Sequence, residues 1–397
     1  MTTTTVDVGV QPAPLSEYPP MPVPVLVGRI VFGVVLSVVA VLTPFYLAPE
    51  NNRIVSQALF IAVAAMGLNL LTGFNGQVSI GHGAFFGVGA FTTAILMVDH
   101  GWPFEATIPI AGLIAGVIGL IVGFPALRVR GLYLALVTLG LAVLLPQVAN
   151  KYVKGIGGRP LLKPRAKEFA SLLSGLDDDQ WAYFVCLAMT VLLFFLAWNL
   201  VRSRTGRAMV ACRDQELAAS TLGINLAATK VGTFAISAAY AGIAGSLSVL
   251  VDHLADGTNP VLYFQRSIEF LVAMVIGGSA TIFGPLVGAF LLVALRRNTE
   301  DLVEGKEVLA PAVYGAALML VVYVLPDGVV GGARRLFVRF GRPDTGAPPS
   351  PPGPTTGVVD PDLDPNPDSD PNPDSDSQPD QSAPDPVTPA NPEPGGS

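Results

Sequence analysis

Charge is what this 397-residue chain has least of: Asp, Glu, Lys and Arg make up 13% of it, against 51% hydrophobic residues. That balance excludes a soluble domain built on one core and points to a polytopic membrane protein. Cysteine is nearly absent. Cys186 lies in an apolar run and Cys212 in a charged one, so they fall at different depths, and neither a disulfide nor a thiolate metal set is expected. The three histidines, His82, His100 and His253, lack metal-site spacing. No G-x-x-x-x-G-K-[ST] loop occurs; the one Gly-Lys, at 305–306, runs into Glu307, so the chain has no phosphate cradle for ATP. No Ser/His/Asp constellation marks a catalytic site, and no basic stripe interleaved with aromatics marks a nucleic-acid partner. Residues 1–24 are Thr- and Pro-rich with no basic residue ahead of an apolar run, which excludes a signal peptide and suggests a disordered lead.

What is abundant is apolar sequence in lengths that cross a bilayer. Spans are expected near Val25–Leu47, Ile54–Leu71, Val78–Met97, Ala106–Phe124, Leu132–Val148, Trp181–Val201, Val231–Val251, Ser267–Gly278, Phe283–Leu295 and Val308–Leu325. The eighth and ninth are short and read either as two thin helices or as a re-entrant pair broken at Gly277-Gly278-Ser279, which gives nine or ten spans in an all-α bundle. Trp102, Trp181 and Trp198 fall at span ends, where an aromatic belt places them.

The formal charge of −7 conceals two regions of opposite sign. Eleven acids and no bases follow Arg342, leaving nineteen acids against 23 bases, a net +4, on residues 1–343. The expected division is a lead at 1–24, a membrane body at 25–340 and a tail at 341–397. The tail holds seventeen prolines and a tandem Asp-Pro-Asn-Pro-Asp-Ser at 364–369 and 370–375; it has little apolar surface to offset the entropy of ordering.

Between two apolar spans lies a charged block, residues 202–230. Arg207–Asn225 is expected to form one helix stopped by Gly223. Ala211, Leu217, Ala218 and Leu222 would share a groove-fitting face, with Arg213, Asp214 and Glu216 mostly off it. If the block is cytoplasmic, the Arg128/Arg130 loop and Arg334, Arg335 and Arg339 are inside too. The bases then divide twelve inside to eleven outside, six of the latter in the loop Lys151–Lys167.

Small residues recur at four-residue spacing. Gly83/Gly87, Gly284/Gly288, and Ala238, Gly242 and Gly245 on one face are expected to let helix backbones approach closely. The polar, glycine-broken segment Asn75–Gly83 opens the third span. Its Asn75, Gln77, Ser79 and His82, with Thr92 beyond, are candidates for a translocation path, because irregular backbone at depth survives only beside protein or water. Arg266 and Glu269, three residues apart, read as an ion pair on one helix face.

Three ordered stretches carry a resemblance: LNLLTGFNGQVSIGHGAFFGVGAF at 68–91, GRAMVACRDQELAASTLGINLAATKVGTFAISAAYAGIAGSL at 206–247, and VIGGSATIFGPLVGAF at 275–290. Together they resemble the permeases of branched-chain amino-acid ABC importers, the LivM-type family, over roughly residues 30–330. Glu216-Leu217-Ala218-Ala219, with Gly223 four residues on, is similar to the loop by which such permeases grip their ATPase. The resemblance implies an inner-membrane, multi-pass transport subunit that is not an enzyme, with the charged block cytoplasmic; alternation of the spans then places the tail on the cytoplasmic side as well. It implies Arg207, Arg213, Asp214, Glu216, Ala218, Ala219 and Gly223 as the coupling residues. It also implies a homologous second permease, two ATPase subunits that carry the ATP and Mg, and an extracytoplasmic binding protein. The implied cargo is a branched-chain or other apolar amino acid. Urea or short-chain amides are the alternative cargo, and an ion-coupled secondary transporter or channel the alternative class; the latter is disfavoured by the few ionisable residues within the spans.

Overall fold

The computed structural model describes residues 35, 38–127, 131–152, 177–253, 260–302, 310–324 and 328–332. The expected lead at 1–24, the tail at 341–397, Arg128/Arg130, Arg334, Arg335 and Arg339, and all of the Lys151–Lys167 loop beyond its first two residues lie outside them, as do most of the first span and parts of the tenth.

Among the described residues every regular element is helical. After a helical stretch at 38–46 come α1 (Pro49–Leu68), continued without a break by a π-helical turn (Asn69–Phe74), then α2 (His82–Val98), α3 (Phe104–Ala126), α4 (Leu132–Tyr152) and α5 (Asp178–Arg202). Two short helices follow, α6 (Arg204–Asp214) and α7 (Glu216–Thr221), then α8 (Leu226–Asp252), α9 (Pro260–Gly277), α10 (Gly284–Leu302) and α11 (Ala310–Val324). Pro49–Phe74, α3, α5 and α8 are each long and apolar enough to cross a membrane; α2 and residues 133–144 are shorter apolar helices.

Local chemistry sets several of the helix ends. Pro49 and Glu50 open α1, where a missing N–H costs nothing and a carboxylate faces the positive end of the dipole. Asp177 and Gln180 form a reciprocal capping box on α5. The Asn225 side chain accepts from the Ala228 N–H at 3.0 Å to start α8.

Apolar character on all sides makes α1 the central helix: 83% of its most apolar stretch is buried, against 28% for α5. Helix α8 packs on α1, α2 and α3, while α9 and α10 pack on each other and on α1. These contacts are close because the residues are small. A Cβ added at Gly245 would run into the Phe86 carbonyl, at Gly89 into the Gly242 carbonyl, at Gly83 into the Tyr263 carbonyl, and at Gly288 into that of Ala273. At Gly242 and Gly284 it would meet Ala115 Cβ and the Gly278 carbonyl, and at Gly87 the Tyr263 ring. Ala238 is buried against Gly119. In hydrocarbon such backbone proximity supplies the van der Waals energy that water would otherwise drive.

Two expected helix starts are corrected, and the break expected between the eighth and ninth spans is present. The third span begins at His82 rather than Val78, because residues 76–81 are non-helical. The eighth and ninth are two separate helices: Gly278 at φ 113° and Ala280 at φ 57° turn the chain between α9 and α10. Helix α9 also starts at Pro260, a full two turns before Ser267. The buried Asn69 side chain holds that turn, accepting from the Ala280 N–H at 2.8 Å and donating to the Thr281 carbonyl at 2.7 Å.

Gly245→Ala is expected to lower the melting temperature of the purified protein in detergent, through an overpacking cost of about 1–3 kcal/mol. Gly140→Ala, where an added Cβ meets nothing within 4 Å, leaves it unchanged or slightly higher.

Candidate functional site

The charged block is two helices rather than one. Gln215, at φ −154° and ψ 105°, is extended and separates α6 from α7. The Ser203 side chain caps α6 by accepting from the Gly206 N–H, and Gly206 seats so close to the end of α5 that a Cβ there would meet the Val201 carbonyl. Met209 and Cys212 point inward and are buried. Gly223, at φ +79° with open space around it, ends α7 in a conformation that suits glycine.

The break changes which residues share a face. Ala211 is on α6 and half-buried, whereas Leu217 and Leu222 stand out at 85% and 80% exposed, with Ala218 exposed beside them. Ala219 is buried and so anchors α7 to the body. Arg207 is exposed and donates to the Arg202 carbonyl.

Two bonds tie this pair of helices to the polar segment that precedes α2. Arg213 Nη1 donates to the Gly73 carbonyl at 2.9 Å, while its Nε meets Asp214 at 2.9 Å. Lys230 Nζ pairs with Glu216 Oε1 at 2.6 Å, and Gln77 Nε2 donates to the Lys230 carbonyl at 3.2 Å. Gly76, at φ +75°, packs on the Arg213 stem. The partly exposed Lys230–Glu216 pair is worth about 1 kcal/mol or less; its geometric effect is to fix α7 against the start of α8.

The segment itself is stitched at each step. The Gln77 carbonyl accepts from Thr72 Oγ1 at 2.9 Å, the Ile80 N–H donates to Thr138 Oγ1 at 3.2 Å, and the Gly83 N–H donates to Ser267 Oγ at 2.7 Å. Its side chains are less well served. Both side-chain polar atoms of Asn75, Ser79 Oγ and His82 Nε2 are buried without a hydrogen-bond partner, as is Ser237 Oγ on α8. His82 Nε2 and the Ser237 carbonyl both border Gly67. Groups of this kind cost about 1–3 kcal/mol each when left unpaired, and three of the residues concerned, Asn75, Ser79 and His82, lie within this one irregular stretch and the helix start that follows it. Thr92 stands apart: its hydroxyl bonds the Val88 carbonyl of its own helix.

Lys230, Asn69, Thr138, Ser267 and Ser237 are absent from the sequence-based site. Lys230, the last base of the charged block, gave some signal; for the others, single polar residues in apolar runs, partners become visible only in the packed bundle.

The statistical profile of one family, described as "Branched-chain amino acid transport system / permease component", matches residues 52–322. The chain is 32% identical to the high-affinity branched-chain amino acid transport system permease protein LivM of Escherichia coli (strain K12), covering 75% of this chain and 74% of that one. It is 27% identical to the LivH permease protein of the same organism, over 68% and 91% of the two chains. It is 25% identical to the ribose import permease protein RbsC of Haemophilus influenzae, over 75% and 91%. No solved structure matches.

Burial pushes the Cys212 thiol above its ordinary range, with Lys230 and a Thr229 hydrogen bond pulling the other way. The thiolate is the reactive form, so Cys212 is expected to resist maleimide at neutral pH and to label faster as pH rises. Lys230→Ala removes the cation that lowers the thiol pKa and should slow labelling at a given pH further, read by mass spectrometry of the native protein.

Proposed function

The chain belongs to the family of branched-chain amino acid transport permease components, and from that membership we propose that it is the membrane half of an ATP-driven importer for branched-chain or similar apolar amino acids. As a member it is a multi-pass membrane permease and not an enzyme. In this reading ATP and Mg2+ act on a separate ATPase pair that grips α6 and α7 from the cytoplasm. A homologous permease packs beside this chain in the inner membrane, and an extracytoplasmic binding protein delivers the cargo.

One observation carries the reading: the most exposed leucines of the block, Leu217 on α7 and Leu222 just after it, stand on a unit linked to the irregular segment by two routes, Glu216 to Lys230 of α8 and from its carbonyl to Gln77, and Arg213 of α6 to Gly73. A motor can do work on a membrane path only through a stiff connection. Leu217, Ala218 and Leu222 offer an apolar contact to a groove, and Glu216 and Arg213 are already committed inward. A displacement of α6–α7 pulls on Gly73 through Arg213 and on Gln77 through the start of α8. Those residues flank Asn75 and precede Ser79 and His82, which with Asn75 and Ser237 would meet the charged head of an amino acid. The apolar outer faces of α3 and α5, including Leu113, Ile121, Val191 and Phe195, are available to lipid and to the second permease.

Leu217→Asp with Leu222→Asp is expected to abolish co-purification of the ATPase and to cut amino-acid uptake by tenfold or more, with membrane insertion intact. Normal uptake by that double variant overturns the proposal.

A further inference from the structure

At the opposite end of the bundle from α6 and α7 lies a second polar site that the coupling block does not touch. Helix α8 runs from Lys230, beside Glu216, to Asp252, about 33 Å at 1.5 Å per residue, which matches the roughly 30 Å hydrocarbon layer. Around Asp252 gather the first turns of α1 and the N-terminal half of α9, which enclose a cavity of about 280 Å³. That is near the lower end of volumes that hold a small organic ligand.

Its walls divide by chemistry. Arg53, Arg266, Asp252 and Ser248 supply charged and polar lining, and Phe86, Ala90, Leu262 and Tyr263 the apolar and aromatic lining. The apolar floor continues into an aromatic cluster, with Phe86 5.2 Å from Phe270 and 6.1 Å from Phe60 between ring centroids, and the Arg266 guanidinium over Phe60 at 5.8 Å. The charged side is held in place from behind. Gln57 Nε2 donates to Asp252 Oδ1 at 2.9 Å, and Arg266 Nη1 bonds Glu269 Oε2 at 2.8 Å. Across the cavity mouth the contacts are long: Arg53 Nη2 and Arg266 Nη2 each stand 3.7 Å from Asp252 oxygens, beyond hydrogen-bond distance. The Arg53 side chain is 47% exposed and that of Asp252 20%.

We propose that this cavity is an outer recognition site for the zwitterionic head of an α-amino acid, its carboxylate on Arg53 and its ammonium on Asp252, with the apolar side chain against Phe86, Ala90 and Leu262. The proposal rests on the reading of the chain as an amino-acid permease and deepens it. The two ligand charges, of opposite sign, are carried by groups on the same carbon, and the cavity presents cations and an anion side by side: Asp252 is oriented by Gln57 and Arg266 by Glu269, and Arg53 stands at the open side, 47% exposed. Inserting a zwitterion replaces two loose 3.7 Å contacts with two charge-assisted hydrogen bonds. An uncharged cargo would cover Arg53 and Asp252 without pairing them, which is costly. The cavity thus selects on the head group at the face where cargo arrives, before the path near His82 is reached.

The test uses the full transporter with its companion subunits in proteoliposomes, with leucine uptake as readout and 4-methylpentanoate, leucine without its amino group, as competitor. Arg53→Gln is expected to raise the KM for leucine about ten- to a hundredfold, the range for losing a hydrogen bond to a charged group, with the maximal rate changed less than twofold; Arg53→Lys should recover part of it. Asp252→Asn is expected to erase the preference for leucine over 4-methylpentanoate. If the native assembly takes up leucine and both variants keep its KM and its discrimination, the site is overturned alone. If the native assembly takes up no amino acid, the permease reading falls and the site falls with it.

Discussion

Backbone polar groups cannot be left unpaired inside a bilayer, and this requirement governs where the chain departs from helix. Two such departures, at 76–81 and at 278–283, lie between packed helices of the bundle. Each departure is bonded by side chains brought from elsewhere: Thr72, Thr138 and Ser267 for the first, Asn69 for the second. The bonds to irregular backbone also fix where the helices sit, since Thr138 ties α4 and Ser267 ties α9 to the same segment. The π-helical turn at Asn69–Phe74 belongs to this arrangement. It sets Asn69 toward the α9–α10 turn and presents the Gly73 carbonyl to Arg213.

The two ends of the bundle are chemically distinct. At one end charge is used to attach: Arg213 and Glu216 face inward and their bonds are short, leaving leucines outward. At the other, charge is held open, with Arg53 and Arg266 too far from Asp252 for hydrogen bonding. Helix α8 joins the ends, carrying Lys230 near its first turn and Asp252 at its last residue. Small residues along its length let α2 and α3 approach to backbone contact. A smooth interface of this kind resists sliding less than one of interlocked large side chains, which suits helices whose relative positions must change during transport.

Much of the fold was legible because its determinants are one-dimensional. Apolar length gave the helices, and four-residue glycine spacing gave contacts at Gly83, Gly245 and Gly288. Gly223 was readable as a stop because a positive φ has few other tenants. The Arg266–Glu269 pair followed from helical periodicity and stands at 2.8 Å. The single helix across 207–225 was a misreading: Gln215 carries no breaker signal, and its extended backbone arises because α6 packs inward through Met209 and Cys212 while α7 turns to bring Glu216 to Lys230. The start of the third span was misplaced for a related reason. Val78 and Ile80 look like membrane residues, yet the Ile80 N–H is taken by Thr138 and the Gln77 carbonyl by Thr72, which hold the segment out of helix.

Sequence alone determined the solvent this chain lives in, the helical class of its elements, the family it resembles and the absence of its own phosphate-binding loop, because each follows from composition or from a contiguous motif. Only the tertiary structure decided which polar residues meet. Arg213 and Gly73 are 140 positions apart, Gln57 and Asp252 195, and Asn69 and Thr281 212. No local pattern encodes such pairings, since each partner is an isolated polar residue whose neighbour is fixed by how separate helices pack.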